Sequence, residues 1–172
     1  MWSPYAPTVR FTVEQAVAAP RQVAEEALVD PDFYATMGAI GPIGTPEVLQ
    51  RADDGTHVRL SVRYRFTGHL AAPARRVLDP AKMTWVIESS LDRQANTVGF
   101  VMVPDHYGDR LECRGTYRFE DRGDHTAQVV QGDLVVHVPL VGRAVEHAIL
   151  MGLRQHLAEE AQLIAAYAGR HS

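Results

Sequence analysis

A histidine and a carboxylate four residues apart on a helix share one face, and His156 and Glu160 have that spacing. A carboxylate beside an imidazole raises the histidine pKa and makes a pair able to give and take a proton. Helical geometry puts both within the apolar stripe between Ile149 and Ile164. Two placements follow. Either the pair is buried with the stripe, or the stripe rolls around the helix and leaves the pair at a wet edge among Gln155, Glu159 and Gln162. The expectation is the wet edge, with neither residue catalytic and the catalytic residues unknown. His69 in TGHL and His106 in PDHYGD fall at strand ends, where loops rim the mouth of a cavity. Their plainer reading is as solvated loop histidines. Cys113 is flanked by Glu112 and Arg114, which point away from it in a strand, so it reads as a buried, inert thiol.

Other chemistries lack their residues. The sequence holds no HExxH, no pair of cysteines and no close His/Asp cluster, so no metal is expected. Phosphate-binding and dinucleotide glycine motifs are absent, as is GxSxG, so no cofactor and no serine nucleophile are expected.

The elements that position these residues are mostly strands. Phe11, Val13 and Val17 alternate in the first. Ala19-Pro20 opens a short helix ended by Asp30-Pro31, and a second runs from Pro31 to Met37. Gly38 to Glu47, rich in Gly and Pro, is loop. Asp54-Gly55 joins a hairpin whose second arm is the cleanest strand, with Val58, Leu60, Val62, Tyr64 and Phe66 on one face and Arg59, Ser61, Arg63 and Arg65 on the other. Residues 70–77 form a one- or two-turn helical flap. Strands follow at 84–91, 97–103 and 111–120, and another from Gln128. In the last, Val130, Leu134, Val136 and Val138 oppose Gln131, Asp133 and His137. Pro139 ends the ladder and Gly142 is expected to give the turn its freedom. From Val141 to Ala168 the period becomes helical, with Val145, Ile149, Leu153, Leu157, Ile164 and Ala168 in one stripe and Gly169 as the expected C-cap. Short turns between successive strands make an antiparallel meander with one wet face.

At 172 residues the chain reads as one domain, 1–172, with residues 1–8 expected to be disordered. No apolar run is long enough to cross a bilayer and no cleavable signal opens the chain. One cysteine excludes an internal disulfide and fits a cytoplasmic location. A net charge of −4 argues against a general nucleic-acid binder. The basic face of Arg59, Arg63 and Arg65 is read as a solvated ladder opposed by Glu112, Glu120 and other carboxylates, with an acidic partner or anionic membrane as the alternative. Oligomeric state is left open.

A strand, two short helices, six more strands and a long C-terminal helix resemble the START-like, helix-grip layout. GDLVVHVPLVGRAVEHAI with its helix, AAPRQVAEEALVDPDF and RGTYRFED together resemble a domain of unknown function from high-GC bacteria. That family is placed in the START-like, polyketide-cyclase-related (SRPBCC) superfamily. The abundance of Arg over a single lysine, Lys82, fits that origin. Val135 and His137 depart from the family's charged positions, marking either an apolar outer patch or drift.

The resemblance implies an α+β fold: a curved antiparallel sheet of about seven strands gripping the long helix, with a cavity between them. Elementary dimensions agree. Seven strands at ~4.8 Å span about 30 Å, whereas one helix is ~10–12 Å across. Area left uncovered becomes an apolar pocket. The inner face offers Gln15, Tyr64, Trp85, Met102, Cys113, Tyr117 and Gln128. Tyr64, Trp85, Met102, Cys113 and Tyr117, with Ile149 and Leu153 from the helix, are the expected ligand-binding residues; the alternative for each is core packing. The expected partner is a hydrophobic small molecule such as a lipid, isoprenoid or polyketide-like compound. The alternatives are an aromatase/cyclase-like enzyme using the same pocket, or an interaction module with a filled core.

Overall fold

The alternation of β3 (His57–Arg65) sets the pattern for the sheet: Val58, Leu60, Val62 and Tyr64 are buried and the residues between them face out. The computed structural model describes residues 7–171. Before β3 come β1 (Val9–Val17), α1 (Arg21–Ala27), α2 (Pro31–Thr36) and β2 (Glu47–Asp53). After it come α3 (Ala72–Arg75), a 3₁₀ turn (Pro80–Lys82), β4 (Thr84–Asp92), β5 (Thr97–Pro104), β6 (Leu111–Asp121), β7 (Thr126–Val136) and α4 (Gly142–Arg170). The strands form one antiparallel sheet in the order β1-β7-β6-β5-β4-β3-β2. β2 to β7 are a meander. α1 and α2 carry the chain between the sheet's two edges, so the first strand closes against the last. Of the stretch 1–8, residues 1–6 lie outside the described residues; Pro7 and Thr8 are exposed.

Local chemistry fixes the turns. In the β2–β3 hairpin the Asp54 carboxylate accepts from the Thr56 and His57 amides, and Gly55 takes φ +92°. Asp30 caps α2 by accepting from the Asp32 amide, with Pro31 in the first turn. After β7 the left-handed residue is Leu140, φ 67°, with its side chain in solvent. Gly142, expected to supply that freedom, is already helical. Gly169 is likewise inside α4, which ends at Arg170 with His171 as its cap.

α4 has 29 residues, about 44 Å of helix. It lies chiefly on β1, β7 and α1, off the centre of the sheet. In its C-terminal half Leu157, Ala161, Ile164, Tyr167 and Ala168 are buried. Ile164 and Tyr167 share a core with α1, α2 and β3, while Leu157 packs with Phe11, Val13, Val130 and Leu134. Gly115 and Gly132 face each other on β6 and β7. A Cβ on Gly132 would meet the Phe11 ring at 2.5 Å and a backbone oxygen at 2.6 Å, so the ring lies directly over bare backbone.

Two expectations about the outer face are corrected. Glu112 and Glu120 sit on β6, separated from β3 by β4 and β5, and do not oppose its arginines. Arg63 instead binds Asp105 at 3.2 Å, and Glu120 binds Arg122 at 2.7 Å. Val135 is 1% exposed, so no apolar outer patch forms there.

Candidate functional site

The two halves of α4 differ in what covers their inward stripe. Toward the C-terminus it is sealed. Toward the N-terminus Val145, Ile149, Leu150 and Leu153 remain half-buried, although each packs against the core. On the central strands Trp85, Ile87, Met102, Cys113 and Tyr117 are also half-buried, and Ile87, Cys113 and Tyr117 share a hydrophobic cluster with those α4 residues. Part-exposed apolar side chains thus occur both on β4–β6 and on the first half of α4.

The alternation of each strand places the sheet wall. Trp85, whose strand alternates weakly in sequence, faces inward opposite Tyr64. The two rings stack with centroids 6.1 Å apart and planes at 17°. Tyr64 is 7% exposed and lies behind Trp85. Met102 pairs with Ile87 on one side and Cys113 on the other, and Cys113 continues the row to Leu134. Tyr117 meets Phe100 edge-on at 5.6 Å. Burial pushes the Cys113 thiol up to about 12, with the Asp133 charge adding to it.

The sequence reading misplaces His156 and Glu160. Steps of four, three and four carry the stripe from Ile149 through Leu153 and His156 to Glu160, and it does not roll to a wet edge. Glu160 is 3% exposed and the His156 side chain 16%. Their facing atoms, His156 Nε2 and Glu160 Oε2, are 3.6 Å apart. Gln128, fully buried on β7, donates from Nε2 to Glu160 Oε1 at 3.1 Å. The Tyr64 ring meets the imidazole at 84° and 6.1 Å. Burial, reinforced by the Glu160 charge, raises the Tyr64 and Tyr117 hydroxyls. Both phenols therefore stay protonated and available as donors. His156 Nδ1 and Gln128 Oε1 are buried without a hydrogen-bond partner. His156, Glu160 and Gln128 thus form a compact polar cluster where α4 meets β7.

Two loops are tied to one another. Tyr107, in the left-handed region at φ 60°, accepts the Asp79 amide at its hydroxyl, and Arg110 donates to the Val77 carbonyl. These bonds tie the α3 flap to the β5–β6 loop beside a shallow hollow of about 360 Å³. His69 and His106 are exposed on these loops. A second hollow, about 590 Å³, lies on the outer face and presents Arg59, Glu88 and Arg114, a mixed-charge surface. Among the described residues no group of three or more His, Cys, Asp or Glu is placed to hold a metal ion. No described helix is long and apolar enough to cross a membrane.

Comparison with known proteins places the chain. Residues 12–167 match the family described as a protein of unknown function, DUF2505, and the chain belongs to that family. No curated protein matches it. Among solved structures it is similar to a protein from Thermus thermophilus, at 18% identity and TM-score 0.64, covering 96% of this chain and 99% of that one. It is similar to an aromatase/cyclase from Streptomyces sp. R1128, at 18% identity and TM-score 0.62, over 98% and 97% of the two chains. A START superfamily protein from Mycobacterium smegmatis superposes with TM-score 0.53 at 18% identity, over 96% and 99%. The seven-stranded sheet and long C-terminal helix are a START-like, helix-grip fold.

Proposed function

We propose that the protein binds a hydrophobic small molecule, of lipid, isoprenoid or polyketide-like character, in a cleft between β4–β6 and the first half of α4. One observation carries this reading: apolar side chains on both walls stay half-buried where the rest of the same helix stripe and the same sheet face are sealed. Apolar surface left in a recess is removed from water only when something apolar fills it. Trp85, Met102, Cys113 and Tyr117 form the sheet side of the site, Ile149 and Leu153 the helix side, and Tyr64 supports Trp85 from behind. A lone cysteine suits a binder working in the reducing cytoplasm.

Native mass spectrometry of protein purified without detergent tests the reading. An apolar adduct released on denaturation, or saturable uptake of N-phenyl-1-naphthylamine by adduct-free protein, is expected. Neither adduct nor uptake would reject it.

A second reading has its own observation, the buried His156–Glu160 pair where α4 meets β7. An aromatase/cyclase-like enzyme uses a shaped pocket to fold a reactive chain and a few groups to move protons. Turnover of a poly-β-carbonyl compound, lost in His156→Ala, would favour it. A carrier returns its ligand chemically unchanged.

A further inference from the structure

The outward face of the first half of α4 has a composition of its own. Arg143, Ala144, His147, Ala148, Met151 and Arg154 are all exposed and recur at steps of three and four, so they share the side of the helix turned from the sheet. The one carboxylate among residues 142–154, Glu146, falls off this face and is half-buried. Just before the helix stands Leu140, wholly in solvent and in the left-handed region at φ 67°. The Val141 amide donates to the Pro139 carbonyl at 2.8 Å, so Leu140 is the tip of a three-residue turn. An exposed apolar side chain and a left-handed backbone each cost free energy, and a side chain with no neighbours recovers neither.

Charge is distributed to match. Among the described residues Arg143 and Arg154 enter no ion pair. Arg75 and Arg76, exposed on the α3 flap, stand beside the start of α4, because the next residue, Val77, packs in one cluster with Val141 and Val145. The far end of the sheet, where β2, β4 and β6 finish, is opposite in sign. Asp53, Asp54, Asp92, Asp121 and Asp124 lie in its turns, and its arginines Arg51, Arg93 and Arg122 are held in ion pairs. A chain of net charge −4 therefore turns one cationic, partly apolar side toward an anionic surface.

We propose that Leu140 and the outward face of residues 143–154 dock on an anionic lipid surface, with Leu140 and Met151 entering the interface and the arginines meeting headgroup phosphates. Apolar and basic side chains on one exposed helix face, without a carboxylate, are the composition of a helix that lies in a membrane interface. The stems of Arg143 and Arg154 can lie along the apolar boundary while their guanidinium groups reach the phosphates. A nucleic acid or an acidic protein surface would take the same cations. It would give the projecting Leu140 no apolar surroundings unless it carried a matching pocket, whereas a fluid bilayer accepts a single apolar side chain. The inward stripe of α4 stays on the sheet throughout, so docking requires no rearrangement of the fold. The inference goes beyond the cleft reading and stands on other residues.

Cosedimentation of the full chain with lipid vesicles tests the proposal. Vesicles of phosphatidylcholine and phosphatidylglycerol in equal parts are expected to bind the protein about tenfold or more better than phosphatidylcholine alone, and high salt is expected to abolish the difference. Leu140→Gly is expected to fold about as stably as the unaltered chain, because glycine accepts the left-handed turn, yet to bind the mixed vesicles about tenfold more weakly. Replacing Arg143 and Arg154 together by Gln is expected to weaken that binding about tenfold as well. No binding to the mixed vesicles, equal binding to the two lipid compositions, or undiminished binding by Leu140→Gly would overturn the proposal. Binding to polyglutamate that depends on the arginines but not on Leu140 would overturn it too, and assign the face to an acidic polypeptide. Dye uptake is measured without vesicles, so each of these results leaves the cleft reading standing.

Discussion

Truncating Leu157 and Leu153 separately asks whether α4 is one core helix or half core and half cleft wall. Leu157 is 0% exposed and packs with Leu134, Val13 and Phe11. Leu153, one turn earlier on the same stripe, is half-buried. Leu157→Ala removes a filled side chain from close packing and is expected to cost about 2–5 kcal/mol. For a chain of 172 residues that lowers Tm by about 5–15 °C. Leu153→Ala starts from a side chain that keeps part of its contact with water and borders open space. It is expected to cost about 1 kcal/mol from the area it does bury, and to open little new cavity. This replaces the larger loss that the apolar period alone predicts for Leu153. Urea unfolding followed by circular dichroism gives both values, and dye binding gives the complement: Leu153→Ala weakens apolar dye uptake and Leu157→Ala, where folded, does not. Equal destabilisation at the two positions would refute the division of the helix.

Other expectations follow from the same contacts. Glu160→Leu strands the Gln128 amide inside the core, and is expected to destabilise by about 1–3 kcal/mol in urea. Gly132→Ala drives a Cβ into the Phe11 ring and a backbone oxygen, and is expected to cost about 1–3 kcal/mol, whereas Gly99→Ala, with open space at its Cβ, costs far less. Burial holds the Cys113 thiol at about 12, so the group is protonated at neutral pH. Its alkylation rate is therefore expected to climb steadily through pH 8–10 with no plateau, and to fall when an apolar ligand is bound; a plateau near pH 8.5 would contradict the placement of the thiol. Asp53 lies in a network with Arg93, whose guanidinium holds its carboxyl well below the usual range. A depressed carboxyl pKa adds stability above about pH 4 that is lost as pH falls through the folded value, so Arg93→Ala is expected to flatten the acid limb of the stability curve.

Much of the architecture is legible because period is a local property. The alternation of Val58, Leu60, Val62 and Tyr64 and the helical steps from Val145 to Ile164 each need one buried face, and the sheet and helix supply it. Asp54-Gly55 and Asp30-Pro31 carry turn and cap chemistry in their own side chains. What fails depends on distant partners. Gln155, Glu159 and Gln162 surround His156 and Glu160 in sequence and point to a wet edge. Their true environment is set by Gln128 and Tyr64, which arrive from β7 and β3. The partners of the β3 arginines are misread for the same reason, since strand order, not strand composition, decides what faces Arg63. Leu140 in the left-handed region has no signal at all, because two residues away stands a glycine that suits the turn better. Of the candidate site, strand alternation puts Tyr64, Met102, Cys113 and Tyr117 on the inner face. It does not distinguish lining from core, because that depends on where α4 stops covering the sheet.

Amide chemical-shift mapping during a titration with decan-1-ol tests the central claim most directly. If the cleft is the ligand site, saturable shifts concentrate on residues 145–156 of α4 and on 85–87, 100–102 and 113–117 of the sheet, with the Trp85 indole among the largest. Shifts gathered instead on the outer face around Arg59, Ser61 and Gly99, or no saturable shift anywhere, would contradict it.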